Sequence, residues 1–397
     1  LVQILLGIVI GLFLPNADFH LNTELFLALV IGPLLFRESE EADITAILKH
    51  WRIIVYLIFP VIFISTLSLG GLAHFLWLSL PLAACLAVGA ALGPTDLVAF
   101  ASLSERFSFP KRVSNILKGE GLLNDASGLV AFQVALTAWT TGAFSLGQAS
   151  SSLIFSILGG FLIGFLTAMT NRFLHSFLLS VRATDIASEL LLELSLPLVT
   201  FFLAEEVHVS GIIAVVVAGI LKASRFKKIT LLEAQVDTVT ETVWHTVNFM
   251  LNGSVFVILG MELEMIAEPI LTNPIYNPLL LLLSLIALTF VLFAIRFVMI
   301  YGYYAYRTRR LKKKLNKYMK DMLLLTFSGV KGTVSIATIL LIPSNLEQEY
   351  PLLLFLVAGV TLVSFLTGLV VLPHLSDEHE ESKDYLMHIA ILNEVTS

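Results

Sequence analysis

The sequence predicts an all-α polytopic membrane protein with inverted repeats and two crossed discontinuous helices, and three observations lead there. Of its 397 residues, 57% are hydrophobic and 14% charged, and the mean hydropathy is +0.89, a balance far outside that of soluble domains. Apolar runs recur along the whole chain, many of them near the ~18 to 20 residues that cross ~30 Å of hydrocarbon. Two of these runs, the fourth and the eleventh, are broken in mid-span by GPTD (93–96) and GVKG (329–332). They enter the bilayer from opposite faces, as Gly/Pro-interrupted helices do in the two halves of an inverted repeat.

In order, the apolar segments lie near 1–14, 21–36, 51–69, 74–104, 113–142, 150–172, 185–206, 209–222, 239–262, 278–305, 321–343 and 350–374, about twelve spans by period and length. They form one transmembrane domain over 1–374, followed by a short tail at 375–397. The chain opens at Leu1 inside an apolar run, so a further helix is expected ahead of it. Threaded alternately, the spans put loops near 37–50, 105–112, 173–184, 223–238 and 306–320 on the side of the tail. Short links near 15–20, 70–73, 143–149, 207–208, 263–277 and 344–349 fall on the other side. All but three of the 24 Lys and Arg residues lie on or beside the first set. By the positive-inside rule that set is cytoplasmic, and so is the C-terminus.

The basic run RTRRLKKKLNKYMK (307–320) sits in one of these loops. A lipid headgroup or a nucleic acid would suit such a run, but a topology determinant between two spans explains it, and no nucleic-acid partner is expected. Cys85 is the sole cysteine, which excludes an intrachain disulfide. The tail segment SDEHEESKD reads as a solvated acidic end. Lys118, Asp185, Glu189, Glu193 and Glu205 lie toward span ends and read as solvated or interfacial charges. His208 and His245 have no metal-ligand spacing and read as packing residues.

Gly93 and Pro94 break the fourth span because Pro cannot donate to the helix ladder and Gly relaxes the chain. Thr95 and Asp96 follow where a new helix would start at Leu97, a position that favours an oxygen cap and negative charge. In the eleventh span Lys331 lies between two glycines, near the C-terminal end of one half-helix, where a cation offsets exposed carbonyls. Two crossed broken helices would bring bare dipole ends to mid-membrane, and Asp96 and Lys331 are placed to neutralise them. A Pro kink with snorkelling side chains is the plainer alternative; it fits less well because both charges are too deep to reach water easily.

The stretch GEGLLNDASG (119–128) places three polar side chains inside an apolar span. Glu120 and Asn124 share a face at i, i+4, while Gly121, Asp125 and Gly128 run along a neighbouring one. The two glycines are expected to leave room beside Asp125. Oxygen ligands, room and negative charge are what a small dehydrated cation requires, and Asp125, Asp96 and the carbonyls freed at Thr95 would supply them. A lone ionised Asp at that depth is costly, so it should exchange a proton for a cation. Arg296, in the middle of the tenth span, should seek a carboxylate. Glu120 is the best placed, as a structural or switching pair.

At these residues the sequence resembles the sodium/proton antiporters of the cation/proton antiporter-1 family, especially the prokaryotic NhaP type. The resemblance rests on GPTDLVAFASL (93–103), EGLLNDASGLVAF (120–132), HVSGIIAVVVAG (208–219), FMLNGSVFVILGMEL (249–263), Arg296 in its span and GVKGTVSIA (329–337). It covers essentially the whole chain. What it implies is a thirteen-helix homodimer with an elevator-like core of two inverted three-helix repeats, no cofactor, and residence in the plasma membrane with its lipid. Carried onto this chain, the core falls near 51–142 and 278–374, and the scaffold or dimerisation helices near 1–36 and 150–262. The resemblance also implies that Asp125 carries ion and proton with Asn124 as its partner, that Thr95 and Asp96 lie at the unwound crossing, and that Glu120 pairs with Arg296. The Asn-Asp form is associated with electroneutral exchange of one cation for one proton.

Three departures bear on ion preference. Gly121 stands where a Ser often lends an oxygen, and Leu97 replaces the Pro of TDP. Lys331 replaces the Arg of GLRG, exchanging a planar fork for a point charge. The expected activity is exchange of Na⁺, Li⁺ or K⁺ against H⁺ by alternating access, with cation and proton competing for Asp125. A cation channel or uniporter without proton coupling is the rival from another class, but two interrupted spans in inverted halves fit a carrier better than a pore. A membrane-embedded enzyme is disfavoured because the chain has neither an HExxH nor a GxSxG motif.

Overall fold

A computed structural model describes residues 2–13, 23–42, 44–96, 107–141, 146–181, 185–223, 231–272, 277–310, 312, 315–342, 350–375 and 377–378. These residues fold as α1 (Val2–Phe13), α2 (Thr23–Phe26), α3 (Gly32–Glu40), α4 (Ile44–Lys49), α5 (Trp51–Tyr56), α6 (Ile62–Leu76), α7 (Leu82–Ala91) and α8 (Lys111–Thr141). There follow α9 (Leu146–Ser180), α10 (Ile186–Glu206), α11 (Gly211–Ala223), α12 (Leu231–Thr272), α13 (Pro278–Arg310), α14 (Met319–Phe327), α15 (Thr333–Ile339) and α16 (Tyr350–Leu375). Wide π-helical turns at Leu27–Ile31 and Leu57–Val61 join α2 to α3 and α5 to α6 without a break. The second contains Pro60, whose missing N–H a widened turn accommodates. A two-residue antiparallel pair, β1 (Phe107–Ser108) with β2 (Asp377–Glu378), ties the segment before α8 to the segment after α16.

Among the described residues, five stretches are long and apolar enough to cross a bilayer: Trp51–Leu76, Phe155–Leu178, Ile186–Glu206, Pro278–Arg310 and Tyr350–Leu375. The helices follow the order of the apolar segments, with displaced ends. α9 continues to Ser180 and α12 runs from Leu231 to Thr272, so helix occupies part of the loops expected at 173–184, 223–238 and 263–277. Large apolar side chains such as Phe63, Phe173, Leu279 and Phe290 point outward, each more than 60% exposed, as they should where the surrounding solvent is hydrocarbon.

The link expected at 70–73 is not there. Helix α6 runs straight through Gly70 and Gly71, and the chain turns instead at Trp77–Pro81. The physical reason is close packing of α6 on α7: a Cβ on Gly70 would lie 2.8 Å from Leu86 Cα, and one on Gly89 would collide with the Thr66 carbonyl oxygen. These glycines are notches for helix approach rather than turn residues. The real turn is held by His74 Nδ1, 2.9 Å from Leu80 O, and by Trp77 Nε1, which donates to Ser284 Oγ at 3.0 Å.

Packing follows two groupings. α1 lies along α12, while α3, α9 and α10 pack on α11; Phe36, Phe201, Val215 and Trp244 are buried among them. α6 packs on α7, α7 on α8, and α13 on both α6 and α16, around Cys85, Val88, Phe132, Leu288 and Leu353.

Several charges read as solvated prove to be engaged. Glu193 pairs with Lys222 and accepts from Trp244 Nε1 at 3.2 Å. Lys222 also lies 3.4 Å from Glu40, which Arg37 contacts at 3.0 Å, so one network joins α3, α10, α11 and α12. Burial forces the pairing, since a charge withdrawn from water needs a counter-charge. Glu205 Oε1 accepts from Gly211 N at 3.0 Å and so closes the tight link between α10 and α11. His208 is exposed and takes a left-handed conformation there (φ 57°), and His245 is exposed as well, so neither is a packing residue. Lys118 and Asp185 are exposed, Asp185 capping α10 through Ser188 N at 2.8 Å, and Glu189 faces His175 at 3.3 Å.

Candidate ion-binding site

The two interrupted spans meet at their breaks. α7 ends at Ala91 and irregular backbone follows through Asp96; α14 ends at Phe327, and the chain is irregular from Ser328 to Gly332 before α15 begins. Asp96 N donates to Val330 O at 3.1 Å, stitching the breaks together. Lys331 Nζ donates to Gly93 O at 2.8 Å and Pro94 O at 2.6 Å, and its backbone N donates to Ser364 Oγ at 3.1 Å. Lys331 therefore serves carbonyls of the other broken span. These carbonyls belong to the irregular backbone beyond α7, and a buried ammonium with three donors satisfies them. The Asp96 carboxylate lies against Gly332, where a Cβ would collide with Oδ2. Leu97, and with it the helix that Asp96 was expected to cap, lies outside the described residues.

A second chain of contacts runs from α13 to α8. Arg296 Nη1 and Nη2 donate to Glu120 Oε1 and Oε2 at 2.6 and 2.8 Å, and Nε donates to Leu325 O at 3.0 Å. Thr95 Oγ1 donates to Glu120 Oε1 at 3.2 Å, and Asn124 Nδ2 donates to Thr95 Oγ1 at 2.6 Å. Arg296, Glu120, Thr95 and Asn124 are all at most 4% exposed. The order of donors fixes the orientation of the amide. Thr95 has one proton and gives it to Glu120, so it can only accept from Asn124. Asn124 Oδ1 is left buried, with no donor among the described residues.

The room expected beside Asp125 concerns a side chain outside the described residues. At Gly128 the Pro94 ring occupies the place a Cβ would take, so this glycine serves the close approach of α8 to the broken span. Asp125 itself belongs to α8, one residue beyond Asn124; its side chain lies outside the described residues. Two contributors escaped the sequence reading. Ser364 on α16 holds the Lys331 backbone, and a lone Ser in an apolar helix offered no signal for that. Glu38 on α3 lies within electrostatic reach of Asp96, although the acidic run that contains it reads as part of a loop. No cluster of three or more metal-ligating His, Cys, Asp or Glu side chains occurs among the described residues.

Comparison with known proteins agrees with this architecture. The chain is 34% identical over 388 residues to the sodium, potassium, lithium and rubidium/H⁺ antiporter of Bacillus pumilus, covering 96% of this chain and 58% of that protein. It is 36% identical over 385 residues to the antiporter of the same description from Bacillus subtilis, covering 95% and 57%. The chain thus spans less than three-fifths of the length of either relative. The structure of the sodium proton antiporter MjNhaP1 from Methanocaldococcus jannaschii at pH 8 superposes with a TM-score of 0.68 at 18% identity, over 94% of this chain and 89% of the other, which shows a shared fold. The profile described as sodium/hydrogen exchanger, transmembrane, matches residues 1–376, and the chain belongs to that family.

Proposed function

We propose that the chain exchanges a monovalent cation, Na⁺ with Li⁺ or K⁺ as further candidates, for a proton across the plasma membrane. Asp125 is the shared site, and the two ions compete for it. The carrying observation is the buried Asn124 Oδ1, stripped of donors by the chain that runs through Thr95 to Glu120 and Arg296. An oxygen in that condition suits a cation and not another hydrogen-bond acceptor, and it belongs to the residue next to Asp125. Asp96 and Thr95 lie at the same crossing and complete the oxygen set suited to a hard cation.

Competition supplies the coupling. A protonated or cation-loaded Asp125 is neutral and can cross, whereas the empty carboxylate carries a charge that is expensive in the membrane. One cation then balances one proton, and the exchange is electroneutral. The grouping of α5–α8 with α13–α16, apart from α1–α3 with α9–α12, supports a core moving by alternating access against a scaffold, the latter joining two copies in a homodimer. The cation-rich ends of the helices support a cytoplasmic C-terminus.

The test is Asp125→Asn, assayed for cation-driven proton movement in everted vesicles alongside the parent chain. Loss of exchange in a protein that still purifies intact is expected. Retained sodium/proton exchange would overturn the assignment. Proteoliposomes with and without an imposed membrane potential check the stoichiometry: an electroneutral exchanger gives equal rates.

A further inference from the structure

Away from the ion site, the cation-rich end of the α5, α8, α13 and α14 bundle gathers positive charges from separate elements. His50 sits at the start of α5, and its pKa is pushed below the ordinary value by burial and then by the positive charges of Arg112, Lys49 and Arg307. Asp321 lies 3.8 Å from Arg112 Nη1, too long for a hydrogen bond. Arg112 instead lies over the rings of Tyr304 and Tyr318, at 5.4 and 5.3 Å. Tyr304, 1% exposed, has a buried hydroxyl with no hydrogen-bond partner among the described residues. Donors and cations from several elements converge at this corner.

Beside this cluster begins an apolar stripe. Trp51, Val55, Phe59 and Phe63 recur at i, i+4 from α5 through the wide turn into α6 and are 52, 41, 61 and 65% exposed. Trp51, stacked by Arg52 at 5.6 Å, is the kind of amphipathic ring that sits at headgroup level. We propose that this corner binds an anionic phospholipid, with its phosphate among Lys49, His50, Arg112 and Arg307 and its acyl chains along the stripe from Trp51 to Phe63. Basic pockets between spans suit such headgroups, and a free phosphate would leave the apolar stripe unused. A lipid seated here grips α5, α8 and α13 together, the helices that carry or adjoin Glu120, Asn124 and Arg296.

The test is native mass spectrometry of the purified chain in detergent, titrated separately with phosphatidylglycerol, phosphatidylcholine and inorganic phosphate. Phosphatidylglycerol should bind at least tenfold more tightly than phosphatidylcholine. Lys49→Gln/Arg307→Gln, at two exposed positions, should weaken phosphatidylglycerol roughly 30-fold, about fivefold per cation removed, and leave phosphatidylcholine unchanged. Trp51→Ala should weaken long-chain phosphatidylglycerol more than a short-chain analogue, a readout independent of the charges. Equal binding of the two lipids, or unchanged binding by the double variant, overturns the proposal. Displacement of phosphatidylglycerol by equimolar inorganic phosphate identifies the free anion as the ligand and overturns the lipid assignment.

Discussion

Arg296 and Glu120 lie 176 positions apart in sequence and meet as a two-pronged ion pair at 2.6 and 2.8 Å, both buried. The pair reaches further than its two helices, because Glu120 also receives the Thr95 hydroxyl and Arg296 also holds the Leu325 carbonyl. One guanidinium therefore registers α13 against α8 and against both interrupted spans.

Arg296→Ala should cost about 3–5 kcal/mol, because it strands a buried Glu120 charge. Thermal unfolding and size-exclusion profiles in detergent check this. The loss should be largely recovered in Arg296→Met/Glu120→Gln, which removes both charges at once. A normally stable, inactive Arg296→Ala protein would contradict the structural role.

Lys331→Met removes the donor to Gly93 O and Pro94 O, and each orphaned carbonyl should cost about 1–3 kcal/mol. Lys331→Arg keeps the charge but brings a planar fork to a site shaped for a point donor, so its melting temperature should fall between those of the parent and the Met variant.

Gly128→Ala places a methyl in the Pro94 ring and should destabilise by about 1–3 kcal/mol through overpacking. Gly71→Ala is the control: nothing lies within 4 Å of its added Cβ, and in a helix the change should be neutral or stabilising by about 0.5–1 kcal/mol. Equal melting temperatures for the two variants would refute the close-approach reading.

Thr95→Ser preserves the hydroxyl that accepts from Asn124 and donates to Glu120, whereas Thr95→Val removes it while keeping the shape. Exchange measured in everted vesicles should survive the first and fall at least tenfold in the second. Equal activities would show that the amide needs no such orientation.

His50 titrates with a sign that can be worked out. Its folded pKa lies below the ordinary imidazole value of about 6.5, through burial first and then through Arg112, Lys49 and Arg307. Below 6.5 the unfolded chain binds more protons than the folded one, so this contribution to stability is present above 6.5 and lost as pH falls through the lower folded value. His50→Gln should flatten that part of a melting-temperature profile measured between pH 7 and pH 5.

Much of the site was legible because charge is rare in this chain. Arg296, Lys331, Asp96 and Glu120 stand out against apolar neighbours, and a buried charge must find a partner, so the pairing of Glu120 with Arg296 could be anticipated from depth alone. Glycine was harder to read. Gly93 does mark a break, but Gly70 and Gly71 lie within a continuous helix and Gly128 receives a proline ring. A missing side chain permits a turn and a close approach equally. Glu193 and Glu205 differ from the solvated charges expected for a related reason: nearness to a span end says nothing about whether Lys222 or the Gly211 amide waits beside the carboxylate.

By itself the sequence determined the membrane class, the order of the helices, the two interruptions and the charged residues that must be accommodated within them, since hydropathy and helix-breaking act through neighbours along the chain. Only the tertiary structure decided that Lys331 serves the carbonyls of the opposite span, and that the Asn124 amide is turned by a hydroxyl 29 positions away. Those outcomes depend on which backbone groups two separate breaks leave unsatisfied when they are pressed together. That is a property of packing, and no local pattern encodes it.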